Sequence, residues 1–131
     1  MKLLLDTHVF LWLMSAPGKL PAAMLAACQD RENTLLLSAA SVWEIQIKHQ
    51  RNKIELGVPL VQIVAEQTQS GVFTLLPIEA RHVLAIYDLP LHHNDPFDRL
   101  LLAQARTEGA TLVTADAVIR QHYGALVQLF G

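Results

Sequence analysis

The chain has 131 residues, 10 basic against 12 acidic groups, and 52% hydrophobic residues. That length suits one domain, 1–131, able to bury its own core, and the net charge of −2 leaves nucleic-acid binding to a local basic patch if it occurs at all. A single cysteine, Cys28, excludes an internal disulfide framework and suits a reducing cytoplasm, while the high apolar share leaves surface for a partner.

The opening MKLLLDTHVFLWLMSAPG resembles a secretory signal in its lysine and apolar run. Asp6 and His8 break that run, so it reads as a buried strand, Leu3 to Leu5, and a helix from Thr7 to Met14. No run approaches the ~20 apolar residues of a membrane span. Pro21 opens a second helix through Gln29, and Leu35 to Ser38 is another buried strand. Ser41-x-x-Glu44 has the form of a capping box and predicts a helix to about Asn52. A helix from Pro59 to Gly71, a strand from Phe73 to Leu76 and a short helix from Glu79 to Asp88 follow. Asp95-Pro96 starts a helix that Gly109 caps. The chain closes with a strand at Thr111 to Thr114, a helix from Asp116 to His122 and a strand from Leu126 to Leu129. Alternating helices and wholly apolar strands predict an α/β fold in three layers, α/β/α, around a central parallel sheet of about four to five strands.

Each acid at a helix start has an ordinary explanation as a cap. Their distribution adds something. Asp6 and Asp116 follow apolar strands, and Glu44 and Asp98 lie about one turn into helices. In a parallel sheet the strand-to-helix junctions share one edge, which would bring the four carboxylates together. Gathered like charges repel unless a cation lies among them, and hard oxygen ligands suit Mg²⁺ or Mn²⁺. The histidines show no zinc-protease spacing, and His92 and His93 read as loop or rim residues. Trp12 and Trp43 lie at helical spacing among apolar residues and are expected in the core, with a partner groove as the alternative.

The segments LLLDTHVFLW, SAASVWEIQIK, HHNDPFDRLLLAQA and LVTADAVI together resemble the PIN-domain ribonucleases, most closely the VapC-type toxins of bacterial toxin–antitoxin pairs. The resemblance implies a PIN-like fold and a metal-dependent endoribonuclease that hydrolyses RNA phosphodiester bonds. It implies that Asp6, Glu44, Asp98 and Asp116 hold one or two Mg²⁺ or Mn²⁺ ions, with Thr114 supporting the first aspartate or a water. Asp95 is expected first as an N-cap and second as a peripheral metal contact; His8 departs from the wider family's polar position and faces the groove or substrate. The resemblance further implies a cytoplasmic homodimer neutralised by a cognate antitoxin that runs beside the acids. For RNA, the candidates are Lys48, Arg51 and Lys53 at the end of the Glu44 helix, with Arg99 next to the carboxylate edge. A solvated helix end explains the three former equally well.

A catalytically silent PIN-like binding module is the alternative. A Mg²⁺-binding receiver domain would need paired acids after the first strand and a lysine near the end, whereas Asp6 stands alone and no lysine follows Lys53. A nucleotide-binding P-loop motif is absent, and a haloacid-dehalogenase-like phosphatase would want an aspartate where His8 stands.

Overall fold

The computed structural model describes all 131 residues. Four strands, β1 (Lys2–Leu5), β2 (Thr34–Ser38), β3 (Phe73–Leu76) and β4 (Thr111–Val113), form one all-parallel sheet in the order β3-β2-β1-β4. Seven helices connect and cover them: α1 (Thr7–Ser15), α2 (Ala22–Gln29), α3 (Ala39–Gln50), α4 (Leu60–Gln69), α5 (Ala80–Ala85), α6 (Pro96–Glu108) and α7 (Ala117–His122).

The apolar strand runs are explained by a two-sided core. Leu3, Leu5, Leu35, Leu37 and Val113 pack with Val9, Phe10, Met24 and Ile45 on one face. Leu4, Leu36 and Leu112 pack with Leu101, Leu102, Ile119 and Tyr123 on the other. Successive strand residues point to opposite faces, so a strand buried on both sides must be apolar at every position. From β1 the chain steps outward through β2 to β3, then returns through α5 and α6 to place β4 on the far side of β1. Strand order reverses beside β1, and Asp6 is the residue that follows it.

Two expectations change. The last segment pairs with the sheet only through the isolated parallel bridge Leu112–Leu129, held by Leu112 N–H to Gln128 O and Phe130 N–H to Leu112 O, so no full strand forms. The helix carrying Glu44 starts at Ala39, because the Ser38 side chain at the end of β2 already accepts the Ala40 N–H. Ser41 and Glu44 are therefore buried helical residues, and the capping-box form of Ser41-x-x-Glu44 is coincidental.

A polar network clamps α5 to the end of α6. Buried His82 accepts the Glu79 N–H at Nδ1 (3.0 Å), which leaves Nε2–H to donate to Glu108 (3.0 Å). Arg81 pairs with both Glu79 and Glu108. The His82 hydrogen bond, helped by Arg81, holds the Glu108 carboxyl below its ordinary range. Gly109 ends α6 in the left-handed region, at φ 63°. No atom lies within 4 Å of where its Cβ would stand, so a larger residue there meets backbone strain and no clash. Gly109→Ala is expected to lower stability by about 1 kcal/mol, a fall in Tm of roughly 4 °C by thermal melt.

Candidate active site

Two of the acids, Asp6 and Asp116, stand where a strand passes into a helix and a short acceptor caps the helix start. Asp6 is the N-cap of α1, its Oδ1 accepting the Val9 N–H at 2.8 Å. Its Oδ2 accepts the Thr114 hydroxyl at 2.5 Å, and its backbone N–H continues the β1–β4 pairing to Val113 O. The carboxylate is only 5% exposed. Burial pushes its pKa up; the Thr114 and Val9 hydrogen bonds and nearby His8 oppose this, and Asp116 adds to it. Thr114 is fully buried, and its hydroxyl oxygen also accepts the Asp116 N–H (3.0 Å). One side chain thus fixes the positions of two acids. Asp116 caps α7 through the Ile119 N–H at 3.0 Å.

Glu44 reaches the same place from α3 and is 3% exposed. Its Oε1 accepts the Thr7 hydroxyl and its Oε2 the Lys48 ammonium, each at 2.6 Å. Asp98, one turn into α6, presents Oδ2 at 3.0 Å from His93 Nε2. Asp95 is the N-cap of α6, its Oδ1 accepting the Phe97 and Asp98 N–H groups at 2.8 and 3.1 Å.

A cavity of about 440 Å³ holds this set together: Asp6, Glu44, Asp98 and Asp116 line it with Asp95, His8, Trp12, Lys48 and His93. Burial, then repulsion from Asp95, pushes the Asp98 carboxyl up to about 7; His93 opposes this, and Glu44 and Asp6 contribute further repulsion. Such an accumulation of oxygen donors, with one internal cation at Lys48, suits a hard divalent metal. Nε2 of His93 and carboxylate oxygens of Asp98 and Asp116 lie within 4.8 Å of one another, close enough to share an ion. Ligand atoms of Glu79, His82 and Glu108 lie as close together, but Arg81 already pairs with both of those acids.

The basic candidates divide. Lys48 lines the cavity. Arg51 and Lys53 are exposed at the end of α3, where Asn52 turns left-handed (φ 58°) and the Lys53 N–H returns to Lys48 O. Arg99 does not face the acids: its guanidinium donates to the carbonyls of Ile86, Leu89, Pro90 and His93 at 2.9–3.3 Å. His8 is exposed at the groove, with its ring 6.1 Å from that of Trp12. Trp43, expected in the core, is 57% exposed and rests edge-on against Phe97.

Sequence reasoning missed three contributors. Thr7 orients Glu44, and Trp12 walls the groove. His93 lies between Asp98 (3.0 Å) and Asp116 (3.4 Å). Its signal was the spacing His93-x-Asp95, which lets Nδ1 accept the N–H two residues on, at 3.1 Å.

A PIN domain family model matches residues 3–125. The chain is 32% identical to Ribonuclease VapC22 of Mycobacterium tuberculosis over 123 residues, covering 91% of this chain and 90% of that protein. Among solved structures it is similar to VapBC2 of Rickettsia felis bound to a DNA fragment from its promoter (TM-score 0.67, 17% identity, all of both chains). It is also similar to VapBC-1 of nontypeable Haemophilus influenzae (TM-score 0.66, 18% identity, 99% of this chain and 97% of that one). At those identities the structural likeness speaks for the fold alone.

The Asp98 shift has a measurable sign. A carboxyl whose folded pKa lies above its unfolded value favours folding below the unfolded value, and that contribution is lost as pH rises through about 7. In EDTA-treated protein, Asp98→Asn is therefore expected to melt several degrees above wild type at pH 8. The advantage should shrink as pH falls and be gone near 3.8, the ordinary value for an aspartate carboxyl. Melts followed by circular dichroism across that range check it.

Proposed function

From the membership of this chain in the PIN-domain family, we propose that it is a Mg²⁺- or Mn²⁺-dependent endoribonuclease toxin, neutralised by a cognate antitoxin. The observation that carries this reading is the convergence of Asp6, Glu44, Asp98 and Asp116 on one cavity. A bound divalent ion there would hold the scissile phosphate and make a water a better nucleophile. Asp6 and Asp98 would hold it, with Glu44 and Asp116 orienting a second ion or the water. The Thr114 hydroxyl keeps Asp6 facing the groove, and Thr7 and Lys48 do the same for Glu44. Asp6, Glu44 and Asp116 each have both carboxylate oxygens engaged, which leaves Asp98 Oδ1 as the least hindered oxygen of the four acids. Lys48, Arg51 and Lys53 give the RNA backbone a cationic track leading from the groove along the end of α3. Arg99 has no free geometry for that work and acts on the loop it binds.

Two apolar patches support protein partners. A groove of about 590 Å³ between α3 and α4 is lined by Val42, Trp43, Val61, Val64 and Leu75. Tyr87 and Leu91 stand almost fully exposed on the connection before α6. We assign these surfaces to the antitoxin and to a second copy in a homodimer. No helix is long and apolar enough to cross a membrane, and we place the protein in the cytoplasm.

Purified, antitoxin-free protein incubated with total RNA is expected to cleave it with Mg²⁺ or Mn²⁺ and not with EDTA. Asp6→Asn, which keeps an acceptor for the α1 cap, should fold and lose at least about 100-fold in rate. Asp98→Ala should do the same. Metal-independent cleavage, or full activity in either variant, would remove the assignment, and no cleavage of any RNA with either metal would favour a silent binding module.

A further inference from the structure

His93 is held more firmly than a rim residue needs to be. Its backbone N–H donates to the Tyr123 hydroxyl oxygen (3.0 Å), which also accepts the His92 N–H (3.2 Å) and donates to Pro90 O (2.7 Å). Its carbonyl accepts from Arg99 (3.3 Å). Its ring Nδ1 accepts the Asp95 N–H (3.1 Å). An amide N–H can only be accepted by an unprotonated nitrogen, so the neutral ring carries its proton on Nε2. That Nε2–H is hydrogen-bonded to Asp116 Oδ2 at 3.4 Å, and Asp98 Oδ2 lies in contact with the same nitrogen at 3.0 Å. The side chain is only 14% exposed.

The same geometry argues against direct ligation. A metal on Nε2 would require the proton to move to Nδ1, where it would collide with the Asp95 N–H. The remaining role is that of a shared polar neighbour, hydrogen-bonded to Asp116 and in contact with Asp98. Asp98 arrives from α6 and Asp116 from α7, and no other side chain joins the two. Thr114 and the α7 cap hold Asp116 in place, so without His93 it is the Asp98 side chain that like charge would turn away toward solvent. A metal would then have to pull the two acids together again at the expense of its own affinity.

We propose that His93 is a positioning residue whose Nε2–H, set by the Asp95 backbone N–H, gathers Asp98 and Asp116 into one preformed ligand pair. This rests on the metal-dependent reading above. Tyr123 and Arg99 serve it by fixing the loop that carries it.

The test is Mn²⁺ titration by calorimetry of the purified protein, His93→Ala and His93→Gln, with folding checked by circular dichroism. The expected result is a 10- to 100-fold weaker Mn²⁺ affinity in His93→Ala, about the loss typical when an outer-shell partner is removed. In RNA cleavage kcat should fall while KM changes less than about twofold. His93→Gln keeps an N–H donor at similar reach and should recover at least half of the lost binding free energy. Nitrogen NMR of labelled histidine should show the Nε2–H form both without metal and with Mg²⁺. Unchanged Mn²⁺ affinity in His93→Ala, no recovery in His93→Gln, or loss of the Nε2 proton on adding Mg²⁺ would each overturn the proposal while leaving the nuclease reading standing. Wild-type protein that binds no divalent ion would overturn both.

Discussion

The rest of the site depends on one buried ion-sized group, the Asp6 carboxylate held between β1 and β4. An acid at 5% exposure is expensive to bury, and burial is the largest influence on its pKa. The fold meets that demand with directed donors: a backbone N–H from α1 on one oxygen and the Thr114 hydroxyl on the other. Because Thr114 also accepts the Asp116 N–H, the same contact positions the next acid. Moving either strand would strand a buried charge.

Around that hub the protein uses helix caps for two purposes. Asp6, Asp95 and Asp116 each accept backbone N–H groups that would otherwise lack partners. The same side chains line the groove. Capping offsets part of the free energy of crowding negative charge. Glu44 is stabilised differently, by Lys48 one turn on and by Thr7 across the interface with α1.

The sequence was readable where chemistry is local. Leu3 to Leu5 had to be a doubly buried strand, and Asp95, Pro96 and Gly109 marked both ends of α6 through rules that need no tertiary knowledge. The convergence of the acids was legible because parallel topology puts the strand-to-helix junctions on one edge. Other features depended on distant partners. Ser41 looked like a cap only so long as the end of β2 was unknown, since Ser38 already held that role. Trp43 is apolar at a helical spacing, yet its exposure depends on how α4 is placed beside it. Arg99 and His93 were misjudged because their targets include backbone carbonyls and amides, which leave no mark in residue identity. The closing strand shrank to a bridge at Leu129, where β4 itself runs for only three residues.

The central place of β1 has a consequence for biosynthesis. The hydrogen bond between Thr114 and Asp6 joins residues 108 apart, and β1 lies between a strand made early and one made late. While a ribosome is still translating, β2 and β3 can dock on one side of β1, but its other side stays open until β4 emerges. Asp116, His122 and Tyr123 come later still, and Tyr123 holds the loop before α6. A nascent chain therefore has no complete acid cluster until β4 and the start of α7 have left the exit tunnel.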